Sequence, residues 1–274
     1  MQRAAELGLS GEALLSDAPG RVTDLTRRAV EDGAELVVVV GGDGTVNEAV
    51  NGLLGTGASC ELAVVPCGTG DDFARTFGIP TNAEQALAVA AHGSARQVDA
   101  GRARLGSAER YFANFAGAGI SGAIARRGAV TSRRLGARAA YFWATVAVFT
   151  RWSSVPMTIE ADGVKREGRM FEVIVANGAF AAGGMRVAPD ASPDDGLFDV
   201  VLIGDVSKAD FVTTFPKIYR GTHIGHAKVD VLKARAVTVT PEEPLPVVLD
   251  GEQPGSTPVS FEILPGALRL RAPS

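Results

Sequence analysis

The chain has 274 residues, 46% of them hydrophobic and 21% charged, with a net charge of −4 and a sequence pI of about 5.5. This is the composition of a soluble globular protein with length for one large or two ordinary domains, and its acidity disfavours a nucleic-acid partner, which requires a basic surface. With only Cys60 and Cys67 no disulfide framework is implied, and a reducing, cytoplasmic setting is expected.

The opening MQRAAELGLSGE lacks the apolar stretch of a signal peptide. No run reaches the roughly 18 apolar residues of a spanning helix. The absence of a GK dipeptide and of H-E-x-x-H removes the P-loop NTPases and the zincins. LSGEALL (9–15) reads as a strand. A helix is expected from Asp17, with Pro19 in its first turn, Val22, Leu25, Ala29 and Val30 on one face, and Gly33 as its C′ residue. ELVVVV (35–40) is a continuous run suited to a parallel strand buried on both faces. Val46, Ala49, Val50, Leu53 and Leu54 then repeat at helical spacing. CELAVVP (60–66) is a second buried strand, and Thr81 with Glu84 forms a capping box for a helix reaching His92. This alternation predicts an α/β half with a mostly parallel, doubly wound sheet.

Beyond about residue 98 the texture changes to strands and hairpins. Met157, Ile159 and Ala161 alternate before an Asp162-Gly163 turn, and 171–177, 197–203, 236–240, 246–252 and 259–264 are strand-like. The boundary is placed near Gln97–Asp99, giving domains 1–98 and 99–274 that pack closely.

Ligands of a doubly wound sheet bind at the carboxyl ends of its strands, where Gly41, Gly42 and Gly44 stand just before a helix. Glycines let backbone approach a phosphate, and the free N–H groups attract it. Asp43 would repel that phosphate unless a cation lies between them, so it points to Mg²⁺. A tight turn with a capping aspartate is the plainer alternative. Gly68, Thr69, Gly70, Asp71 and Asp72 repeat the pattern after the next strand, and together the turns suit a nucleotide triphosphate with a metal between carboxylates. Asp71-Asp72 also reads as an acid pair favoured at a helix start. GAGISG (117–122) satisfies G-x-G-x-x-G but lies in the β half with no acid about 20 residues on, so a packing or lipid-cleft segment is expected instead of a dinucleotide site. Segment 126–152 places five arginines before an aromatic, apolar stretch, suited either to an anionic membrane surface or to a core helix with a basic start. His92, His223 and His226 show no metal-ligand spacing.

GGDGTVNEAVNGL (41–53) followed by PCGTGDDFAR (66–75) closely resembles the diacylglycerol kinase catalytic domain in its bacterial soluble branch, part of the NAD kinase-like superfamily. FANFAGAGI (112–120), residues 175–203, GTHIGH (221–226), LDGE (249–252) and the closing 258–270 continue the likeness from about Ser16 to the end. The resemblance implies an ATP- and Mg²⁺-dependent kinase acting on a lipid hydroxyl, most naturally that of diacylglycerol. It implies a nucleotide domain, and a β-sandwich lipid domain whose last segment returns to the first.

On that pattern Gly41, Gly42, Asp43, Gly44, Thr45, Asn47 and Glu48 line the triphosphate, with Gly68 and Thr69 from the second turn. Ser16 stands where the family usually has a threonine. Asp43 and Asp72 hold the catalytic Mg²⁺, and Glu252 is the general base; without the family pattern DGE reads as a hairpin turn. Asp195, with the carbonyls of Ser192 and Leu197, binds a second, structural Mg²⁺. The lipid substrate implies contact with a membrane surface at the inner face, without nucleic acid, and leaves room for a homodimer.

Two departures stand out. Asp71 replaces the family's asparagine, and the family's first strand and its N-P-x-[SG] turn are absent, so a truncated or misassigned start is expected. Loss of that strand is expected to leave ladder groups unpaired in the sheet's interior. Two rival readings are an NAD kinase-like enzyme and a lipid- or nucleotide-binding protein that has lost catalysis.

Overall fold

The structure, a computed structural model, describes residues 2–135 and 145–273, without the side chains of 128–135. The first half opens with α1 (Gln2–Glu6) and α2 (Arg21–Glu31). Gly33, at φ 92°, stops α2 as its sequence predicts. β1 (Leu36–Gly41) and β2 (Glu61–Pro66) pair in parallel around α3 (Asp43–Thr56), whose Val46, Ala49, Val50 and Leu53 are buried. α4 (Asp72–Thr76) and α5 (Ala83–His92) follow. The cap of α5 is Asn82 rather than Thr81: its side chain accepts from the Gln85 amide, and its backbone has the extended conformation an N-cap needs.

No strand forms at 9–15. Residues 10–20 are exposed, Leu15 at 90%, and a segment with no neighbouring ladder gains little by extending. β1 is accordingly an edge strand among the described residues, with Val40 63% exposed.

The second half contains β3 (Ser94–Leu105), β4 (Ala108–Phe112), β5 (Phe115–Gly119), α6 (Ile120–Leu135), β6 (Val155–Ala161), β7 (Val164–Met170), β8 (Glu172–Ala176), β9 (Phe198–Ile203), α7 (Lys208–Ile218), β10 (Val229–Ala234), β11 (Ala236–Pro241), β12 (Pro246–Leu249), β13 (Glu252–Ser256) and β14 (Val259–Ala272). One sheet runs β10-β9-β8-β5-β12-β13, antiparallel throughout. Its inner face packs on β4, β6, β11 and the first part of β14 through Phe112, Phe198, Phe261, Ile159, Val175 and Leu249.

The other sheet is mixed, because β14 runs parallel to β2 yet antiparallel to β3. The ribbon β3–β14 runs through 97–99 with a register shift between Leu264 and Leu268 opposite Asp99, and serves both halves. Leu268, Leu270 and Ala272 at its far end enter the core of the first half with Val39, Val50, Leu62 and Phe73. Residues 136–144, the middle of the basic and aromatic segment 126–152, lie outside the described residues. Among the described residues no helix is long and apolar enough to cross a membrane.

Candidate active site

The two glycine turns meet at Gly42 and Gly68, neither of which carries a side chain. A methyl group added at Gly68 would stand 2.6 Å from the Gly42 Cα, and one added at Gly42 would stand 2.9 Å from the Gly68 Cα. The Cys67 amide donates to the Gly41 carbonyl at 3.0 Å, tying the end of β2 to the end of β1. Thr45 folds back over Gly41, its Oγ1 2.6 Å from where a Cβ would lie. If these turns hold nucleotide as the resemblance implies, Gly68→Ala is expected to pry them apart and raise the KM for ATP by about tenfold or more, read from initial rates over an ATP series. An unchanged KM would separate these turns from nucleotide binding.

Asp43 and Asp72 converge on Gly70, where an added Cβ would lie 3.0 Å from Asp43 Oδ2 and 3.3 Å from Asp72 Oδ2. Asp43 Oδ1 accepts from the Phe73 amide at 2.9 Å, which leaves Oδ2 toward Gly70. Asp72 is buried and accepts from the amides of Gly183 (2.7 Å) and Gly184 (2.6 Å). Burial pushes the Asp72 carboxyl above its usual range, the Asp43 charge adds to that, and the two glycine amides and Arg75 oppose it. Among the described residues no cluster of three or more His, Cys, Asp or Glu forms a self-sufficient metal centre. Two carboxylates fit Mg²⁺ of the kind completed by water and substrate phosphates.

Glu252 enters from the other half. It follows the two-residue tip Asp250-Gly251 of the β12–β13 hairpin, and its Oε1 lies 3.3 Å from where a Cβ on Gly44 would stand. An exposed carboxylate thus faces the start of α3, beside the paired acids.

Residues 2–103 match the family described as the diacylglycerol kinase catalytic domain. Residues 114–272 match the YegS C-terminal NAD kinase beta sandwich-like domain. The diacylglycerol kinase of Staphylococcus carnosus (strain TM300) is 30% identical over 254 residues, which cover 93% of this chain and 82% of that protein. That of Bacillus subtilis (strain 168) is 29% identical over 262 residues, covering 95% and 85%. A crystal structure from Bacillus anthracis strain Sterne, of a protein proposed to be a diacylglycerol kinase, superposes with a TM-score of 0.77 at 27% identity, covering 94% of this chain and 85% of that one. The chain belongs to the diacylglycerol kinase family.

Within this kinase several expected site residues take other work. Glu48 accepts from the amides of Gly20 (2.8 Å) and Val22 (2.9 Å), so its carboxylate holds the start of α2. Asn47 is buried and donates to the Tyr111 carbonyl and to Asp250. Ser16 lies in the exposed turn before α2, its hydroxyl donating to the Ala18 carbonyl at 3.0 Å. Thr69 is exposed at the tip of the second turn. Asp71, the departure from the family's asparagine, adopts φ 50° and accepts from the Gly68 amide at 2.9 Å, so the extra carboxylate closes its own turn.

Ser192, Asp195 and Leu197 share one loop. Asp195 accepts from the Leu197 amide at 3.0 Å and pairs with Lys233 Nζ at 2.7 Å, and that ammonium also reaches Asp199 at 3.1 Å. Both Asp195 oxygens are thus engaged, one by the Leu197 amide and one by the Lys233 ammonium, which a bound cation would have to displace or join.

Three features of the kinase escaped the sequence reading. Gly183 and Gly184, at φ 85° and 95°, aim their amides at Asp72, and their signal was the GG dipeptide. Asp250 anchors the hairpin tip. Glu172, an acid inside the wholly buried run EVIVA, explains GAGISG. The Glu172 carboxylate accepts from the Ser121 amide (2.8 Å) and hydroxyl (2.6 Å) at the start of α6. Methyl groups at Gly117 and Gly119 would each lie 2.8 Å from its oxygens, and one at Gly122 would collide with the Pro246 carbonyl. The glycines thus admit a carboxyl group to a helix start, where a dinucleotide site would admit a phosphate, and that group belongs to the protein.

Proposed function

We propose that this kinase transfers the γ-phosphoryl group of ATP to the free hydroxyl of diacylglycerol, giving phosphatidic acid. The observation that carries the reading is the convergence of Asp43, Asp72 and Glu252 on two touching glycine turns. Phosphoryl transfer is catalysed mainly by positioning and by neutralising charge on the moving group. The amides at the start of α3, freed by Gly42 and Gly44, bind phosphate oxygens. Asp43 and Asp72 would hold Mg²⁺, which when bound would offset charge on the phosphates. Glu252, against Gly44 at the start of α3, accepts the hydroxyl proton as the oxygen attacks in line. Contact with a membrane surface, where diacylglycerol resides, belongs to the same proposal. The family's diacylglycerol-specific names, shared by relatives over most of this chain, favour this lipid.

The test is transfer of labelled phosphate from ATP to a panel of diacylglycerol, ceramide and sphingoid base in vesicles, with NAD as a further acceptor. Labelled phosphatidic acid is expected. Labelled NADP, or nucleotide binding without any product, would overturn the reading. A second Mg²⁺ is proposed at Asp195 with the carbonyls of Ser192 and Leu197. Millimolar Mg²⁺ is then expected to raise the thermal midpoint by about 2 °C or more in the parent protein and not in Asp195→Ala. Equal shifts in both proteins would remove that site.

A further inference from the structure

We propose that Asp250 is the positioning residue for Glu252, fastening three separate parts of the chain at one carboxylate so that the base meets the start of α3. The proposal rests on Glu252 being the base. Asp250 is buried, with Oδ1 accepting from the amides of Asn114 (3.0 Å) and Phe115 (2.8 Å). Its Oδ2 accepts from the Ala113 amide (2.7 Å) and from Asn47 Nδ2 (3.0 Å). Its own amide donates to the Phe115 carbonyl at 2.9 Å, so tip and corner are tied in both directions.

Each donor comes from a part that matters to the site. Asn47 is three residues after Gly44 on α3, and side chains at that spacing share a helix face. Residues 113–115 form the corner between β4 and β5. Asp250 and Gly251, at φ 46° and 94°, are the paired positive-φ residues of a tight hairpin tip, with Leu249 opposite Glu252. A hairpin tip of this type needs only a residue that tolerates positive φ, and its side chain normally faces water. Here the acid points inward and is saturated with donors, while the next side chain along β13 is the exposed Glu252 against Gly44. The same carboxylate therefore fixes both ends of the gap between helix start and base. Charge-assisted bonds of this kind are short and directional, which suits holding a reactive group to a fraction of an ångström.

The experiment is a double-variant cycle, using Mg-ATP and diacylglycerol in phosphatidylcholine vesicles. Asp250→Asn keeps the size and tolerates the backbone, but turns one acceptor oxygen into a donor facing amides. It is expected to lower kcat by about 10- to 100-fold with the KM for ATP within about threefold of the parent. Combined with Glu252→Ala it is expected to be no slower than Glu252→Ala alone, because a residue that acts through another adds nothing once that other is gone. Multiplying losses, or a raised KM with kcat intact, would overturn the proposal and leave Asp250 a structural group. If Glu252→Ala keeps the parent kcat, it is the assignment of the base that fails. Should Asp250→Asn not fold, Asn47→Ala removes one of the donors and enters the same cycle, with an expected loss of about three- to tenfold.

Discussion

Asp43→Asn is expected to slow phosphoryl transfer by about 10²–10³-fold and to move the Mg²⁺ dependence to higher concentration, with the fold intact. Asparagine can still accept from the Phe73 amide through its carbonyl oxygen, the bond that Asp43 Oδ1 makes now. What disappears is the charge on the oxygen that faces Asp72 across Gly70. Two acids at that separation repel, and part of the upward push on the Asp72 carboxyl comes from Asp43. On the proposed reading a divalent cation between them would convert the repulsion into binding, and with one acid neutral less would be gained by admitting the cation. Steady-state rates across a Mg²⁺ titration, alongside a thermal melt, separate the two effects. A variant with parent rate and parent Mg²⁺ dependence would take Asp43 out of the metal site.

The second large effect concerns stability. Burial raises the Glu172 carboxyl from 4.5 to about 7, against the hydroxyl and amide of Ser121 and the Ile120 amide, which lower it. A carboxyl raised in the folded state binds its proton more tightly there than in the unfolded chain. Its contribution is therefore fully present below pH 4.5 and is lost as pH climbs through about 7. At about 1.4 kcal/mol per pH unit, this one group should remove roughly 3 kcal/mol between pH 4.5 and 8. Glu172→Gln, neutral throughout, is expected to lack that decline. Urea unfolding of both proteins across this range reads the difference directly, and parallel curves would refute it.

Much of the fold was legible because it depends on local periodicity. The apolar runs of β1 and β2, the helical spacing along α3 and the alternation in β6 each name their element without help from afar. Segment 9–15 failed because alternation says what a strand buries, not whether a neighbour is there to pair with it. Asp43, Asp72 and Glu252 were legible through the family pattern, and the structure brings them together. Asn47 and Glu48 were expected at the triphosphate, and their side chains are engaged elsewhere for a physical reason. Their partners lie 203 residues ahead at Asp250 and 26 to 28 residues back at Gly20 and Val22, and helix spacing alone does not show which way a polar side chain is claimed. Glu172 was legible in retrospect, since an acid in a fully buried strand demands a partner. Its partner is the very glycine motif that looked like a nucleotide site.

The ribbon joining β3 to β14 has a consequence for how the protein is made. Leu268, Leu270 and Ala272 complete the core around Val50, Leu62 and Phe73, so the half encoded first cannot finish folding until residue 272 has left the ribosome. During synthesis the glycine turns and their acids exist without the strand that backs them. The growing chain therefore carries an unfinished first half through most of the synthesis of these residues, and completes that core only with β14.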